Sequence, residues 1–290
     1  MAGETLYSSN VTVAAAVDAE IVPMFTSASI MAGLVAPFAV GMANTNAKRL
    51  PKSGSITASV VSESNAASPQ VLTDTSVLLT LQKAVVVTKP TIEAVRFATN
   101  GTNVQRHAAL SAQACSVKFD TDALALATSV TLNVDTGASA TVAGLQQAAY
   151  SVRNGNIPYS NLAFVGNYKQ LFQIEGDIRT SGNAIYGNPN FSLGAVNSTQ
   201  ARMGFKGQLF GVDLYETGVN ATASSNNVGL VFNPQLAIAA LYPAGSAPGF
   251  ETSISEELGF LESVSFIKTI MWYQVALYND AAACRLLSDV

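Results

Sequence analysis

The most explicit chemical spacing in the chain is Asp135-Thr136-Gly137, within LNVDTGAS over 132–139. Apolar and branched residues feeding an Asp-Thr-Gly turn form the active-site pattern of aspartic proteases. That chemistry needs two such aspartates face to face. Their charges cannot both develop at close range, so one carboxyl keeps a proton as acid while the other serves as base. Here the pattern occurs once, and Asp74-Thr75-Ser76 lacks the glycine. A subunit that found its second aspartate by dimerising would continue into β-structure, whereas a helix-like segment follows at 141–155. The same residues make an ordinary turn before a helix, with Gly137 at the bend and Ser139 or Thr141 as N-cap. The turn is the expectation, and a dimeric aspartic peptidase using Asp135 is the alternative.

Other reactive residues are sparse. The single histidine, His107, falls in a helical stretch and reads as a packed or surface side chain; one histidine cannot build a zinc site of two or three. The chain lacks G-x-S-x-G, G-x-G-x-x-G and a Gly-Lys-Ser/Thr phosphate loop. Asp120 and Asp122 could ligate a cation but read as helix surface, and Glu256-Glu257 in SISEELGF read as a solvated turn. Cys115 and Cys284 form no C-x-x-C pair and are expected as buried free thiols. No catalytic, cofactor-binding or metal-ligating residue is expected, and no enzymatic activity.

Composition narrows the class. Of 290 residues, 49% are hydrophobic and only 12% charged, against roughly 25% charged in an ordinary soluble domain. A chain that buries much of its surface against copies of itself tolerates so little charge, because interface cores are depleted in charged residues. The best apolar stretch, Ala28 to Ala43, contains Pro37 and two glycines and falls short of the roughly 18–20 residues of a membrane span. No membrane span and no secretory signal are expected. A net charge of −4 without basic clusters argues against nucleic-acid binding through phosphate contacts, though not against a wall that encloses DNA.

The elements that position these residues follow from periodicity. Residues 1–50 show no sustained period, and VPMFTSASIMAGLVAPFA reads as an apolar arm. SITASVVS (55–62) and SVLLTLQKAVVVT (76–88) read as two extended strands around a polar tip, a hairpin. PTIEAVRFAT (90–99) reads as a short helix. From Asn103, Val104, Ala108, Ala112, Cys115, Phe119, Ala123 and Leu126 recur every three or four residues, predicting a long helix. Helix 141–155, strand 161–166 and helix 167–176 follow, then a Gly- and Asn-rich loop over 177–200.

Three segments close the chain. RMGFKGQLFGVDLYET (202–217) is broken by glycines, with Val212 and Leu214 alternating with Asp213 and Tyr215. GLVFNPQLAIAALYP reads as a strand through Val231 and Phe232, then a helix opened by Asn233-Pro234. SVSFIKTIMWYQVALYND reads as a strand, with AAACRLL as a last strand or tail. With the hairpin and long helix before them, this order resembles the major capsid proteins of tailed double-stranded DNA phages, the Hong Kong 97 fold family.

The resemblance implies an α+β fold: an N-terminal arm (1–50), an extended β-hairpin loop (51–88), a peripheral domain with the spine helix (89–134), an axial domain (135–249), and peripheral strands with the C-terminus (250–290). It implies a structural protein that self-assembles as hexamers and pentamers into an icosahedral virion head. The shell would enclose DNA without sequence-specific binding, be assembled in the host cytoplasm, and use scaffolding, portal and decoration proteins as partners. No cofactor is implied. Lys48, Lys52, Lys83 and Lys89 lie in or near the loop, but nothing marks an isopeptide pair, so crosslinking is not carried over. A tail-tube subunit is a further alternative and should lack the helix at 103–129.

Overall fold

The run of small and apolar residues from Val104 to Leu126 produces a helix over Thr102–Ala125, of 24 residues, about 36 Å at 1.5 Å per residue. Ala108, Ala112, Cys115, Phe119 and Ala123 are all buried along one face. Four of the five are small, so the helix lies close on the sheet beneath it. Phe119 fills the middle of that contact, with ring centroids 5.7 Å from Phe25, 5.3 Å from Tyr273 and 6.3 Å from Tyr242.

The computed structural model describes residues 19–40, 46–52, 75–89, 102–155, 161–180, 192–193, 204–219, 222–223, 226–244, 248–258 and 263–289. Helix α1 (19–28) leads through a 3-10 turn at Met31–Gly33 to strand β1 (Ala36–Ala39). Strands β2 (Ala47–Lys52), β3 (Thr75–Thr80) and β4 (Gln82–Thr88) precede the long helix, α2. Then come β5 (Asn133–Asp135), α3 (Val142–Arg153), β6 (Leu162–Asn167), α4 (Tyr168–Thr180) and β7 (Ser192–Leu193). The chain continues through β8 (Phe205–Leu209), β9 (Val212–Thr217), β10 (Thr222–Ala223) and β11 (Asn226–Phe232). It closes with β12 (Ile238–Tyr242), β13 (Gly249–Leu258), β14 (Ser263–Leu277) and β15 (Ala283–Asp289).

Among the described residues these strands form two main sheets and a ribbon. One sheet runs β1-β12-β14-β13, with β4 also on β14; the other runs β5-β15-β11-β6-β9-β8-β7, with β10 on β11; β2 and β3 pair separately. Every residue of β6 is buried, because both faces of the larger sheet are covered. Leu162 and Phe164 pack under α3 and α4 with Leu145 and Ile174, while Ala163 and Val165 join the core beneath α2. Burial on both faces gives a continuous apolar strand where a half-exposed one would alternate.

Local chemistry sets the connections. Phe210 and Gly211 turn between β8 and β9 with φ of +54° and +74°, the left-handed pair that joins strands by a two-residue turn matched to their twist. The ladder slips between Phe205 and Gly207, a bulge in β8. Inside the larger sheet, fully buried Gln170 ties α4 to β11 and β15. Its Nε2 lies 3.2 Å from the carbonyls of Asn227 and Leu286 and from the Ser288 hydroxyl.

Several local expectations change. The helix expected after Asn233-Pro234 is one turn followed by β12. The Asn233 side chain accepts from Gln235 N–H at 3.0 Å, and each residue of β12 is buried, alternately toward two cores. A short apolar run buried on both faces carries no period to separate helix from strand. Glu256 and Glu257 stand in the β13–β14 ladder opposite Ser265 and Val264, in place of a turn. Residues 283–289 pair with β11 and β5 in the larger sheet, apart from β14. The run 76–88 divides at Leu81: β3 pairs with β2 and β4 with β14. The expected strand 55–62 and helix 90–99 lie outside the described residues. Of the loop expected over 177–200, residues 177–180 continue α4, 192–193 form β7, and the remainder lies outside them too.

Candidate assembly surfaces

Asp135 takes the place expected of a turn residue. Its side chain is exposed, and Oδ1 accepts the backbone N–H of Gly137 at 2.9 Å. Gly137 has φ +68°, which a glycine adopts without steric cost. Thr141 then caps α3, its hydroxyl accepting from Gly144 N–H at 3.1 Å. The N-terminus of α3 is completed by α4: Val142 N–H donates to Asp177 at 2.8 Å and Ala140 N–H to Gln173 at 2.9 Å. The motif is a strand, a turn and a capped helix.

Asp120 and Asp122 have separate tasks. Asp120 is buried on α2 and accepts from the Ser29 hydroxyl at 2.6 Å, Met31 N–H at 3.0 Å and Ile30 N–H at 3.1 Å. Burial pushes its carboxyl above the ordinary range, against the pull of those three bonds. This clamp fixes the 19–40 segment, read from sequence as an arm, on the chain's own helix, where Ile21, Phe25 and Met31 are buried. Asp122 receives the Tyr273 hydroxyl and the Lys118 ammonium. Burial first, and the Asp122 carboxylate second, raise the Tyr273 phenol.

His107 is buried where α2 meets two strands, with the hydroxyl of Thr88 at 2.7 Å and those of Thr269 and Ser111 at 3.2 Å. Cys115 and Cys284 are free and buried, and burial pushes each thiol up to about 11. Among the described residues, no three His, Cys, Asp or Glu side chains gather as a metal site would require, and no helix is long and apolar enough to cross a membrane. Lys48 donates to the Ala39 carbonyl at 2.7 Å, and Lys89 lies over the Phe266 ring at 5.7 Å.

Large apolar side chains point outward on three surfaces. On the β3–β4 limb, Leu79, Ala84 and Val86 turn inward, which turns Leu78 (57% exposed), Val85 and Val87 (54%) out. On α2, Leu110 and Val117 face away from the core, with Met24 of α1 exposed alongside the groove that Val117 helps to line. On the helical layer, Tyr150 of α3 is exposed. Tyr168 and Phe172 of α4 stack with centroids 6.4 Å apart and planes at 18°. Fully burying one Val, Leu or Phe side chain is worth about 1.5–3 kcal/mol, so these faces suit protein contact. Sequence reading missed them because alternation marks two faces of a strand without saying which is covered. The one signal was the i, i+4 spacing of Tyr168 and Phe172, which places them together on a helix.

Neither a protein-family model nor a curated protein matches the sequence. Solved structures match nearly all of it. The acid-stable capsid of Helicobacter pylori bacteriophage KHP30 is 13% identical, with TM-score 0.63, covering 91% of this chain and 91% of that one. The capsid of cyanophage P-SCSP1u is 12% identical, with TM-score 0.62, covering 90% and 88%. The SrpI encapsulin of Synechococcus elongatus PCC 7942 is 14% identical, with TM-score 0.60, covering 90% and 88%. Agreement over about nine-tenths of both chains gives this chain the α+β fold of phage capsid shell subunits, the Hong Kong 97 fold.

Proposed function

We propose that this chain is the major capsid subunit of a tailed phage, working by self-assembly into hexamers and pentamers that close an icosahedral head around double-stranded DNA. The observation that carries the reading is the match to shell subunits over about nine-tenths of the chain. The outward Leu78, Val85 and Val87 on the reaching limb support it. Standard protein interfaces bury about 1,600 Å². At ~25 cal/mol per Å² of apolar area, several such contacts per subunit exceed the freedom lost on association. The work is mechanical and needs no catalytic group. An acidic subunit of net charge −4 repels packed phosphate, which keeps the enclosed genome mobile. Head assembly in the host cytoplasm, with scaffolding, portal and decoration proteins as partners, belongs to the same reading.

Electron microscopy of the expressed chain tests it. Closed shells are expected; small discrete dimers or open tubes would overturn it. Particles from phage-producing cells should hold nuclease-protected DNA; shells without it would overturn the genome-container reading.

A further inference from the structure

His107 is the chain's single histidine and is joined to three elements at once. From α2 it reaches Thr88 at the last position of β4 and Thr269 in β14, with Ser111 one turn along its own helix. Thr269 in turn meets Thr252 of β13 at 3.1 Å. A neutral imidazole suits this pocket: its N–H donates to one hydroxyl, and its bare nitrogen accepts from another. An imidazolium suits it badly, because no described side chain facing it carries negative charge.

The inward residues of β4 are Ala84, Val86 and Thr88, and those of β14 are Ile267, Thr269 and Met271. On β13 the buried position opposite Thr269 is Thr252. On α2 the next buried titratable side chain is Cys115, eight residues further along, whose thiol stays protonated because burial raises it. Lys89, Arg106 and Glu251 are exposed, and Lys268 is next to Thr269 along β14 and so on that strand's other face.

We propose that His107 is a proton-operated latch: neutral, it holds the end of β4 against α2 and β14, and its protonation on acidification releases β4. Thr88 is the partner that gives way, being half-exposed while Thr269 and Ser111 are fully buried, so the charged ring reaches water by displacing β4. Burial lowers the imidazole from its ordinary 6.5. As pH falls below 6.5, the opened state therefore takes the proton first. Each further pH unit then favours opening about tenfold, until the closed state titrates as well. The inference concerns the subunit itself and stands apart from its assembly.

Hydrogen–deuterium exchange of the full chain between pH 7.5 and 5, corrected for intrinsic exchange, is the test. In the wild type, amides of 82–88 and their partners in 267–273 should open about tenfold more per pH unit below 6.5, while those of β6 and β11 stay unchanged. His107→Gln keeps a donor and an acceptor with nothing to titrate and should be flat. Equal pH dependence in His107→Gln, or a uniform rise across every strand, would overturn the latch. Thr88→Val keeps the imidazole and cuts its tie to β4, so it should show raised exchange in 82–88 at pH 7.5; exchange matching the wild type would also overturn it.

Discussion

Ser29 and Asp120 stand 91 positions apart in sequence and meet at 2.6 Å, hydroxyl to carboxylate. The same carboxylate takes the backbone N–H groups of Ile30 and Met31. One side chain thus terminates α1, starts the following 3-10 turn and fastens both to the spine helix.

Asp120→Ala should destabilise the subunit by about 2–4 kcal/mol, since buried donors left without an acceptor each cost about 1–3 kcal/mol. Chemical denaturation measures it, and a loss below 0.5 kcal/mol would refute the clamp. The carboxyl titrates above its ordinary 3.8 in the fold, so the folded state holds the proton more tightly. Stability from this group is full below 3.8 and falls as pH rises through the folded value. The gap between wild type and Asp120→Asn should therefore widen as pH is lowered from 7 to 3.5.

Gly229→Ala and Gly166→Ala should each cost about 1–3 kcal/mol through overpacking, because an added Cβ meets the Phe164 ring at 2.6 Å in both cases. Gly176→Ala, inside α4 with nothing within 4 Å of the new methyl, should instead stabilise by about 0.5–1 kcal/mol. Melting curves of the three variants give opposite signs if the sheet–helix packing is right.

At the Asp-Thr-Gly turn, Gly137→Ala should cost about 1–2 kcal/mol for the left-handed backbone alone, since no atom lies within 4 Å of the added methyl. Asp135→Asn keeps the turn's acceptor and should change stability by less than about 0.5 kcal/mol. Peptide hydrolysis at acid pH should be absent in wild type and variant alike. Hydrolysis that Asp135→Asn removes would restore the peptidase reading.

Val85→Asp with Val87→Asp places charge on the outer face of β4, where both valines are exposed in the subunit. Melting of the isolated subunit should shift little, while particle yield by sedimentation should fall at least tenfold. Unchanged particles would remove the β4 face from the assembly contacts.

The local elements were legible in the residues alone. The spacing of Ala108, Ala112, Cys115 and Phe119 declared the spine helix and its start, while the end expected at 129 falls at Ala125, where a 3-10 turn over Leu126–Ser129 takes over. Ser139 and Thr141 were the two caps on offer for α3, and Thr141 is the one used; the glycines marked breaks in 202–217, of which Gly207 lies at a bulge and Gly211 in the β8–β9 turn. These signals are legible because their causes lie within a few residues: helical period, capping and left-handed φ. The order of elements also carried the fold family.

The other features depend on contacts between distant parts of the chain. Whether LAIAALY is helix or strand depends on β1 and β14 lying on either side of β12. The last seven residues of the described chain joined the larger sheet because β5 and β11 offered edges there. Asp120 reads as helix surface until Ser29 arrives to cover it, and His107 as an ordinary packed residue until Thr88 and Thr269 close around it. Pairing, burial and the covered face of a strand are settled by neighbours distant in the chain, and no local period encodes them.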